Sequence, residues 1–353
     1  MALVRFSRAR IWLVPLLVAT TAAAACQWIG PASASSSRPA LGRWSAREVQ
    51  ASMLWSVSCP TSSFCMADGE GPGSHSPQGY VYTYSRGRWS RGRRLDRHTY
   101  QDTVSCASPS FCVLVDSLPQ ISPAGYRGGY AFSYSRGRWS RGRRLARAVS
   151  LSDVSCPTRS FCAATGVYAP SGGQVYTYSA GRWSHDHVLG RRQDPSAVSC
   201  TSRSFCLVVT TSLNGGVNRY ATYSHGTWSP LHPVHTVDQG DLMSLSCASP
   251  QRCLAADDGG FVYIYSHGRW QPGHRIGSWQ SSPSVSCTAS SLCVAVDGDW
   301  ADVLSGGRWS GHAKVVAGGL EAVSCARGPV CTSVGGADSG PGGLAARARS
   351  SSR

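Results

Sequence analysis

The sequence predicts an all-β fold built from seven repeats, on three observations. Seven pairs of cysteines have five residues between their members, and the first cysteines of successive pairs lie 38 to 50 residues apart. Short aromatic and β-branched runs bounded by Gly and Ser follow most pairs, as in GYVYTYS at 79–85, and such runs are strand signals. No sustained helical spacing of apolar residues occurs beyond the N-terminal segment. Together these features predict a seven-bladed β-propeller with four-stranded antiparallel blades.

Each repeat divides into four predicted strands, called a to d. Strand a is the Val-Ser-Cys run, as at 55–59, and strand b starts near the second cysteine, as at 111–115. Strand c is the aromatic run, and strand d starts at a Trp, as at 139–145. A Ser-x-Gly-x-Trp sequence connects c to d, which predicts a two-residue hairpin whose Gly adopts positive φ.

The two ends of the repeat region predict how the ring closes. Residues 42–44 (Gly-Arg-Trp) supply a strand d without its own a, b and c, and 323–334 supplies strands a and b. Neither of the flanking segments, 31–40 and 344–348, resembles a strand c. The seventh blade is therefore expected to have three strands. The predicted domains are a signal and linker at 1–34, a propeller at 35–335 and a disordered basic tail at 336–353.

The cysteine count predicts disulfides in an oxidising compartment. Of the 15 cysteines, all but Cys26 fall into the seven pairs, and an even number at fixed spacing is typical of a disulfide framework. Zinc sites favour closer cysteines and further ligands, and no cofactor motif occurs, so we expect neither metal nor cofactor. The predicted disulfides are Cys59–Cys65, Cys106–Cys112, Cys156–Cys162, Cys200–Cys206, Cys247–Cys253, Cys287–Cys293 and Cys325–Cys331.

The N-terminal segment predicts export. A basic start precedes an apolar run at 11–25, which is typical of a signal peptide and short for a spanning helix. Two processing sites are open. An Ala-Ala-Ala-Cys sequence resembles a lipobox, which would end the signal at 25 and lipidate Cys26; an Ala-x-Ala site at 32–34 would release a soluble protein. The expected location is extracellular or a lipoprotein at the cell surface, with membrane contact only through the signal or the lipid.

The charge of the chain favours anionic partners. The formal net charge is +16, and every basic residue except Lys314 is an arginine. The string SRGRWSRGRRL occurs at both 85–95 and 135–145. The three arginines after the Trp in each copy have two interpretations. They form either a surface for a polyanion, such as a nucleic acid or an anionic cell-wall polymer, or a charged edge strand that prevents aggregation. This arginine stripe consists of Arg91, Arg93, Arg94, Arg141, Arg143 and Arg144.

Antiparallel tracing assigns the connections to two ends of the ring. The a–b and c–d turns lie at one end and are uniform, whereas the b–c and d–a loops lie at the other and vary in length. Binding is therefore expected at the loop end of blades 1 and 2, above all in the loop at 116–128. An Asp after strand b, such as Asp116 or Asp297, is interpreted as a residue that stabilises a turn, in preference to a calcium ligand. The candidate binding residues are Glu70, His75, Arg97, His98, Tyr100, Asp102, Tyr126 and Arg127.

The repeat resembles two groups of known propellers. The Ser-x-Gly-x-Trp turn is similar to the Asp-box hairpin of sialidase-like propellers, although it lacks the Asp two places after the Ser and is shorter. The whole repeat, over roughly 41–335, resembles secreted actinobacterial propellers with a Ser-Cys-x5-Cys in each blade. This resemblance implies the seven-bladed fold, and most such proteins have no assigned activity.

The expected function is that of an exported, monomeric, non-enzymatic module that binds a glycan, a cell-wall polymer or a protein. The alternative is an enzyme of the sialidase, glycosidase or lyase type. No catalytic residue is nominated, because the chain has only the glutamates Glu48, Glu70 and Glu321. Spacing also nominates no pair of facing carboxylates of the kind a glycosidase uses.

Overall fold

The described part of the chain is a ring of seven antiparallel sheets. The computed structural model describes residues 41–72, 79–95, 100–117, 128–146, 149–168, 172–212, 216–276, 283–289, 292–310, 312–316, 318–326, 330–337 and 342–349. Strand a of each blade contacts strand a of the next, and the last contacts the first. The predicted seven-bladed propeller is confirmed.

The strands follow the order a to d in every blade. The first strand of the chain, β1 (Ser45–Val49), belongs to the seventh blade. Blade 1 contains β2 (Leu54–Thr61), β3 (Phe64–Glu70), β4 (Gly79–Ser85), β5 (Arg88–Trp89) and β6 (Arg93–Arg94). Blade 2 contains β7 (Tyr100–Ser108), β8 (Phe111–Ser117), β9 (Gly129–Ser135), β10 (Arg138–Trp139) and β11 (Arg143–Ala146). Blade 3 contains β12 (Val149–Thr158), β13 (Phe161–Tyr168), β14 (Gly172–Ser179) and β15 (Arg182–Gly190).

The second half of the ring repeats this plan. Blade 4 contains β16 (Gln193–Ser202), β17 (Phe205–Ser212), β18 (Asn218–Ser224), β19 (Thr227–Trp228) and β20 (His232–Val234). Blade 5 contains β21 (Leu242–Ser249), β22 (Arg252–Asp257), β23 (Phe261–Ser266), β24 (Arg269–Trp270) and β25 (His274–Arg275). Blade 6 contains β26 (Ser284–Ala289), β27 (Leu292–Asp297), β28 (Trp300–Ser305), β29 (Arg308–Trp309) and β30 (Ala313–Lys314). Blade 7 contains β31 (Leu320–Cys325), β32 (Val330–Gly336) and β33 (Gly343–Arg349) together with β1.

Helical structure is minimal in these ranges. A 3-10 turn occurs at Val237–Gln239. Within the described ranges, no helix is long and apolar enough to cross a membrane.

Blade 7 has four strands and joins the two ends of the ring. β33 is its strand c and pairs with β32 on one side and β1 on the other. The expected disordered tail from 336 is therefore wrong for 343–349, and the propeller extends past 335. The sequence LAARA at 344–348 has weak β propensity, but pairing on both edges and burial of its alanines override that weakness.

Strand d is split in five blades, unlike the continuous strand predicted at 139–145. In blade 2 the residues between β10 and β11 leave the ladder. A Cβ on Gly142 would lie 2.7 Å from the Phe132 ring, so a side chain at this position would clash with the ring. Ser140 replaces the lost ladder bond, because its Oγ accepts from the Ser133 N–H at 2.9 Å.

The c–d turns have the predicted two-residue form. In blade 1 both central residues have positive φ, 50° at Arg86 and 80° at Gly87, and the same pairing occurs at Arg136 and Gly137. Two consecutive positive φ values match a type I′ turn, which suits the twist of a tight hairpin.

All seven predicted disulfides are present, one in each blade, and each bridges strands a and b. Seven disulfides indicate an oxidising compartment.

A closed ring of hydrogen bonds links the blades at the central channel. The Ser before the first cysteine of each blade accepts, through its Oγ, the N–H of the equivalent cysteine in the next blade. All seven bonds are 2.9 Å long, and the bond from Cys59 to Ser324 joins blade 1 to blade 7. Strand a is the inner edge of each sheet, so these N–H groups have no strand partner. The Ser-Cys motif therefore supplies an acceptor for an edge donor.

A second tier of bonds lies two residues earlier and uses two kinds of acceptor. Ser56, Ser244 and Ser284 each accept a backbone N–H from the next blade at 3.0 to 3.1 Å. In blade 3 the acceptor is Asp153, whose Oδ2 accepts from Val198 N–H at 2.8 Å. Burial raises the pKa of Asp153 from 3.8 to about 7, although hydrogen bonds from Val198 and Val154 lower it. Blade 3 therefore holds a carboxyl at the position where blades 1, 5 and 6 hold a hydroxyl.

The serine ring predicts the effect of Ser155→Ala. The change leaves the Cys200 N–H without its acceptor, and we expect a loss of about 1 kcal/mol in the free energy of unfolding. Guanidinium titration with intact disulfides measures it. Ser85→Ala is the control, because Ser85 is exposed at the end of strand c. Equal stability of the two variants would contradict a stabilising role for the ring.

Asp153→Ser is expected to change how stability depends on pH. The pKa of Asp153 is higher in the folded chain than in the unfolded one, so the folded state binds more protons between about pH 4 and 7. Its contribution to stability therefore falls as pH rises through that window. The serine variant keeps an acceptor and buries no charge, so it should exceed the wild type by about 2 kcal/mol at pH 8. The advantage should vanish near pH 4, and an advantage that is independent of pH would argue against titration of Asp153.

Candidate functional site

The two ends of the ring have different chemistry. The end that carries the a–b and c–d turns is called here the cysteine face, and the end that carries the b–c and d–a connections is called the loop face. Strand directions in each antiparallel sheet fix this division.

Most of the predicted binding residues lie outside the described residues. These are His75, Arg97, His98, Tyr126 and Arg127. The backbones of Tyr100 and Asp102 lie on β7. Glu70 ends β3, where its carbonyl accepts from the Tyr82 hydroxyl at 2.8 Å. The structure therefore brings no group of these residues together, and binding by this set stays a prediction. Cys26 and the signal segment also lie outside the described residues.

Described carboxyls at the loop face serve the turns. Asp257 Oδ1 accepts from Phe261 N–H at 2.8 Å, and its Oδ2 accepts from the Tyr263 hydroxyl at 2.6 Å. Asp258 Oδ1 accepts from Asp241 N–H at 2.8 Å. Asp257 and Asp258 therefore act in turn chemistry, and the same interpretation of Asp116 and Asp297 stays a prediction. Burial raises the pKa of Asp241, and the neighbouring Asp258 raises it further.

The cysteine face has a central depression ringed by the disulfides. It has a volume of about 230 Å³ and is lined by the first cysteine of every blade and by the residue that follows most of them, such as Pro60 and Thr201. No charged side chain lines it. The charges of this face lie outside the ring of disulfides.

A basic rim surrounds this depression. None of the seven Cys-to-Cys segments and none of the six segments from strand c to the following Trp contains an Asp or Glu. The described arginines of these segments, with their blade 7 equivalents, are exposed apart from Arg252, which is half-buried. None of them forms an ion pair with a described residue. The basic rim consists of Arg43, Arg86, Arg88, Arg136, Arg138, Arg159, Arg182, Arg203, Arg252, Arg269, Arg308 and Arg349.

The rim is densest at a groove between blades 7 and 1. The groove has a volume of about 780 Å³, and β1 and β33 form one wall while residues at the β4–β5 hairpin form the other. One acidic residue, Glu48, lines it. Planar guanidinium groups in this arrangement suit phosphate, sulfate or carboxylate, which they bind through paired N–H donors. The arginines of the groove are Arg43, Arg47, Arg88, Arg91, Arg347 and Arg349.

Arg347 is the fixed member of this group. Its Nη2 donates to the Ser62 carbonyl at 2.6 Å, and its Nε donates to Thr332 Oγ1 at 3.0 Å. Its guanidinium lies 4.1 Å from the centre of the Tyr84 ring. Arg347 therefore ties blade 7 to blade 1 at the base of the groove, and the exposed arginines are the ones available to a ligand.

The arginine stripe divides between two places. All six side chains are exposed. Arg91 lines the groove, whereas Arg93 and Arg94 form β6 and Arg143 and Arg144 begin β11, toward the loop face.

Sequence reasoning missed the basic rim because its arginines are scattered singly among 12 positions. The signal that identifies it is the lack of Asp and Glu in every turn of one face, which becomes visible once strand tracing groups those turns.

Arg347→Lys tests the fixed arginine. Lysine keeps the charge, but it has no planar guanidinium group that could donate to both acceptors and stack on the Tyr84 ring. We expect a loss of about 1–2 kcal/mol in the free energy of unfolding, measured by guanidinium titration. Arg349→Lys, at an exposed position two residues away, should stay within about 0.5 kcal/mol of wild type. Equal losses would show that the contacts of Arg347 contribute nothing specific.

Comparison with known proteins supports the fold alone. No family model matches the chain, and no curated protein is significantly similar in sequence. Solved structures do match it. The structure described as YCF48 bound to D1 peptide has a TM-score of 0.62 at 13% identity and covers 88% of this chain and 96% of its own. The RRP9 WD40 repeats reach 0.65 at 12% identity, covering 88% and 99%. The WD40 propeller domain of Doa1 reaches 0.58 at 10% identity, covering 88% and 95%. The chain thus shares the propeller architecture of these proteins.

Proposed function

We propose that this chain is an exported, non-enzymatic binding module that holds an anionic extracellular polymer on its cysteine face. The observation that carries the proposal is the basic rim, which has arginines on every blade and no acidic residue in the turns that form it. A surface of one sign attracts and concentrates polymers of the opposite sign.

The arrangement of the rim favours a polymer over a single small anion. Equivalent positions of successive blades carry arginine, as at Arg88, Arg138 and Arg182. A repeated array of cations matches a ligand that repeats its own anionic group. The tight type I′ turns hold these positions on a rigid frame, so little order is lost on binding.

The groove between blades 7 and 1 is proposed as the strongest point of contact. It adds Arg47 and Arg91 to the rim arginines around a concave surface. Each arginine that meets an anionic group releases condensed counterions from the polymer, which makes binding dependent on salt.

Export follows from the N-terminal segment and the cysteines. A signal peptide directs the chain out of the cytoplasm, and the seven disulfides fit an oxidising environment. Lipidation at Cys26 and release after 34 stay as alternative predictions. Binding through the loop face, the site first expected from the sequence, also stays a prediction.

Two fourfold variants of equal charge test the proposal. Arg88, Arg138, Arg182 and Arg269 of the rim become Ser in one, and Arg93, Arg94, Arg143 and Arg144 of the stripe become Ser in the other. Heparin and polyphosphate are the probes, and isothermal titration measures affinity from about 50 to 200 mM salt. We expect the rim variant to lose about 100-fold in affinity and to show a shallower salt slope, by about one unit for each contact removed.

The stripe variant is the control for net charge, since it removes the same four charges. It should lose less than about tenfold. Equal losses in the two variants would mean that binding reflects net charge alone. Binding of polyglutamate in preference to heparin and polyphosphate would indicate an acidic protein as partner and would refute the polymer assignment.

A further inference from the structure

Blade 6 departs from the other blades at one buried position. In blades 1, 2 and 5 a buried aromatic of strand c, namely Tyr82, Phe132 or Tyr263, packs on a Gly three residues after the Trp of strand d. A Cβ on Gly92, Gly142 or Gly273 would lie 2.7 Å from the facing ring. In blade 6 the strand c residue is Asp302, which pairs with Ala295 as Tyr263 pairs with Ala255 in blade 5. The Gly position holds His312.

The exchange creates a hydrogen-bonded carboxyl and imidazole. Asp302 Oδ2 lies 2.7 Å from His312 Nδ1. The Asp302 side chain is 9% exposed and the His312 side chain 39% exposed. Burial raises the pKa of Asp302, and the bond to His312 opposes this rise. A pair of an aromatic residue and a Gly has been replaced by ionisable groups that cost free energy to bury, which indicates a role other than packing.

The pair fixes the state of the outer imidazole nitrogen. With Nδ1 engaged by the carboxylate, a neutral His312 carries its proton on Nδ1 and presents Nε2 as an acceptor. Nε2 has no hydrogen bond to any described residue. It is thus available to a donor from outside the protein.

A flat apolar surface lies beside this acceptor. The rings of Trp300 and His312 stack with centroids 4.6 Å apart and planes 12° apart. Trp300 is 38% exposed and is one of the few large apolar residues at the surface of the described chain. It begins β28, at the loop face of blade 6.

Two carboxylates near the indole, those of Asp299 and Asp302, have side-chain partners. Lys314 pairs with Asp299 at 3.3 Å, Asp299 Oδ1 also accepts the Gly318 N–H at 3.0 Å, and Asp302 is engaged by His312. The surface beside these pairs presents the indole of Trp300 and the Nε2 of His312. No group of three His, Cys, Asp or Glu in the described ranges has the arrangement of a metal site.

We infer that Trp300 and His312 form a binding site for a neutral sugar ring. The apolar C–H face of a pyranose packs on the indole, and one of its hydroxyls donates to His312 Nε2. Asp302 is a positioning residue that orients the imidazole. This site is at the opposite end of the blade from the basic rim and does not rest on the proposed function.

Three variants of the full chain test the site. Trp300→Ala removes the platform. The double change Asp302→Tyr with His312→Gly rebuilds the pair of blades 1 and 5, so the blade stays packed while the acceptor is lost. Phe261→Ala is the control, because Phe261 holds the position of Trp300 in blade 5.

The probes are neutral β-1,4-linked hexasaccharides of glucose, N-acetylglucosamine, mannose and xylose. Isothermal titration and tryptophan fluorescence measure binding at 0.15 and 1 M sodium chloride. We expect at least one probe to bind with the same affinity at both salt concentrations. Trp300→Ala and the double variant should each lose about tenfold or more, while Phe261→Ala stays near wild type.

Thermal unfolding separates binding from folding. The double variant should melt at or above the wild-type temperature and still bind heparin. Asp302→Asn, which keeps an acceptor for Nδ1–H, should retain most of the saccharide affinity, and Asp302→Ala should lose it. Failure of every neutral probe to bind wild type, or binding unchanged in Trp300→Ala, would overturn the site.

Discussion

The ring depends on the hydrogen bonds that cross from blade to blade at the channel. Each sheet ends inward at an edge strand whose N–H groups point away from any strand partner. The Ser before each cysteine supplies the missing acceptor, in all seven blades. The adjacent cysteine joins the same strand to the next one outward. A single dipeptide therefore secures strand a in two directions, toward the neighbouring blade and toward its own.

This inner frame leaves the outer positions free to differ in charge. Aspartates collect at the loop face, where carboxylates such as that of Asp257 accept backbone N–H groups in turns. Turns at the cysteine face are made by Gly and by disulfides, so no carboxylate is required there, and arginine fills the exposed sites. A chain with a net charge of +16 in this way presents a rim of 12 arginines on one side.

The fold could be predicted from the sequence because the regular spacing of the cysteine pairs shows the length and the number of the repeats. Cysteine spacing, aromatic strands and Gly turns all agree with one architecture. The sequence was not sufficient where a neighbour decides the outcome. The segment 343–349 is a strand because two partner strands hold an alanine-rich sequence between them. The basic rim escaped detection because its arginines are scattered singly along the chain, and the Asp302–His312 pair because it becomes visible only when the blades are superposed.

Closure by β1 and β33 has a consequence for how the protein is made. The strands that complete blade 7 stand about 300 residues apart along the chain, as in the pairing of Ser45 with Arg347. Long-range pairing of this kind is slow, because a large loop must close before any contact forms. During synthesis, β1 stays unpaired at the leading end of the chain until β33 has been made. The chain must therefore avoid aggregation until residue 349 has emerged, and the charged, exposed β1 with its sequence SAREV is suited to that interval.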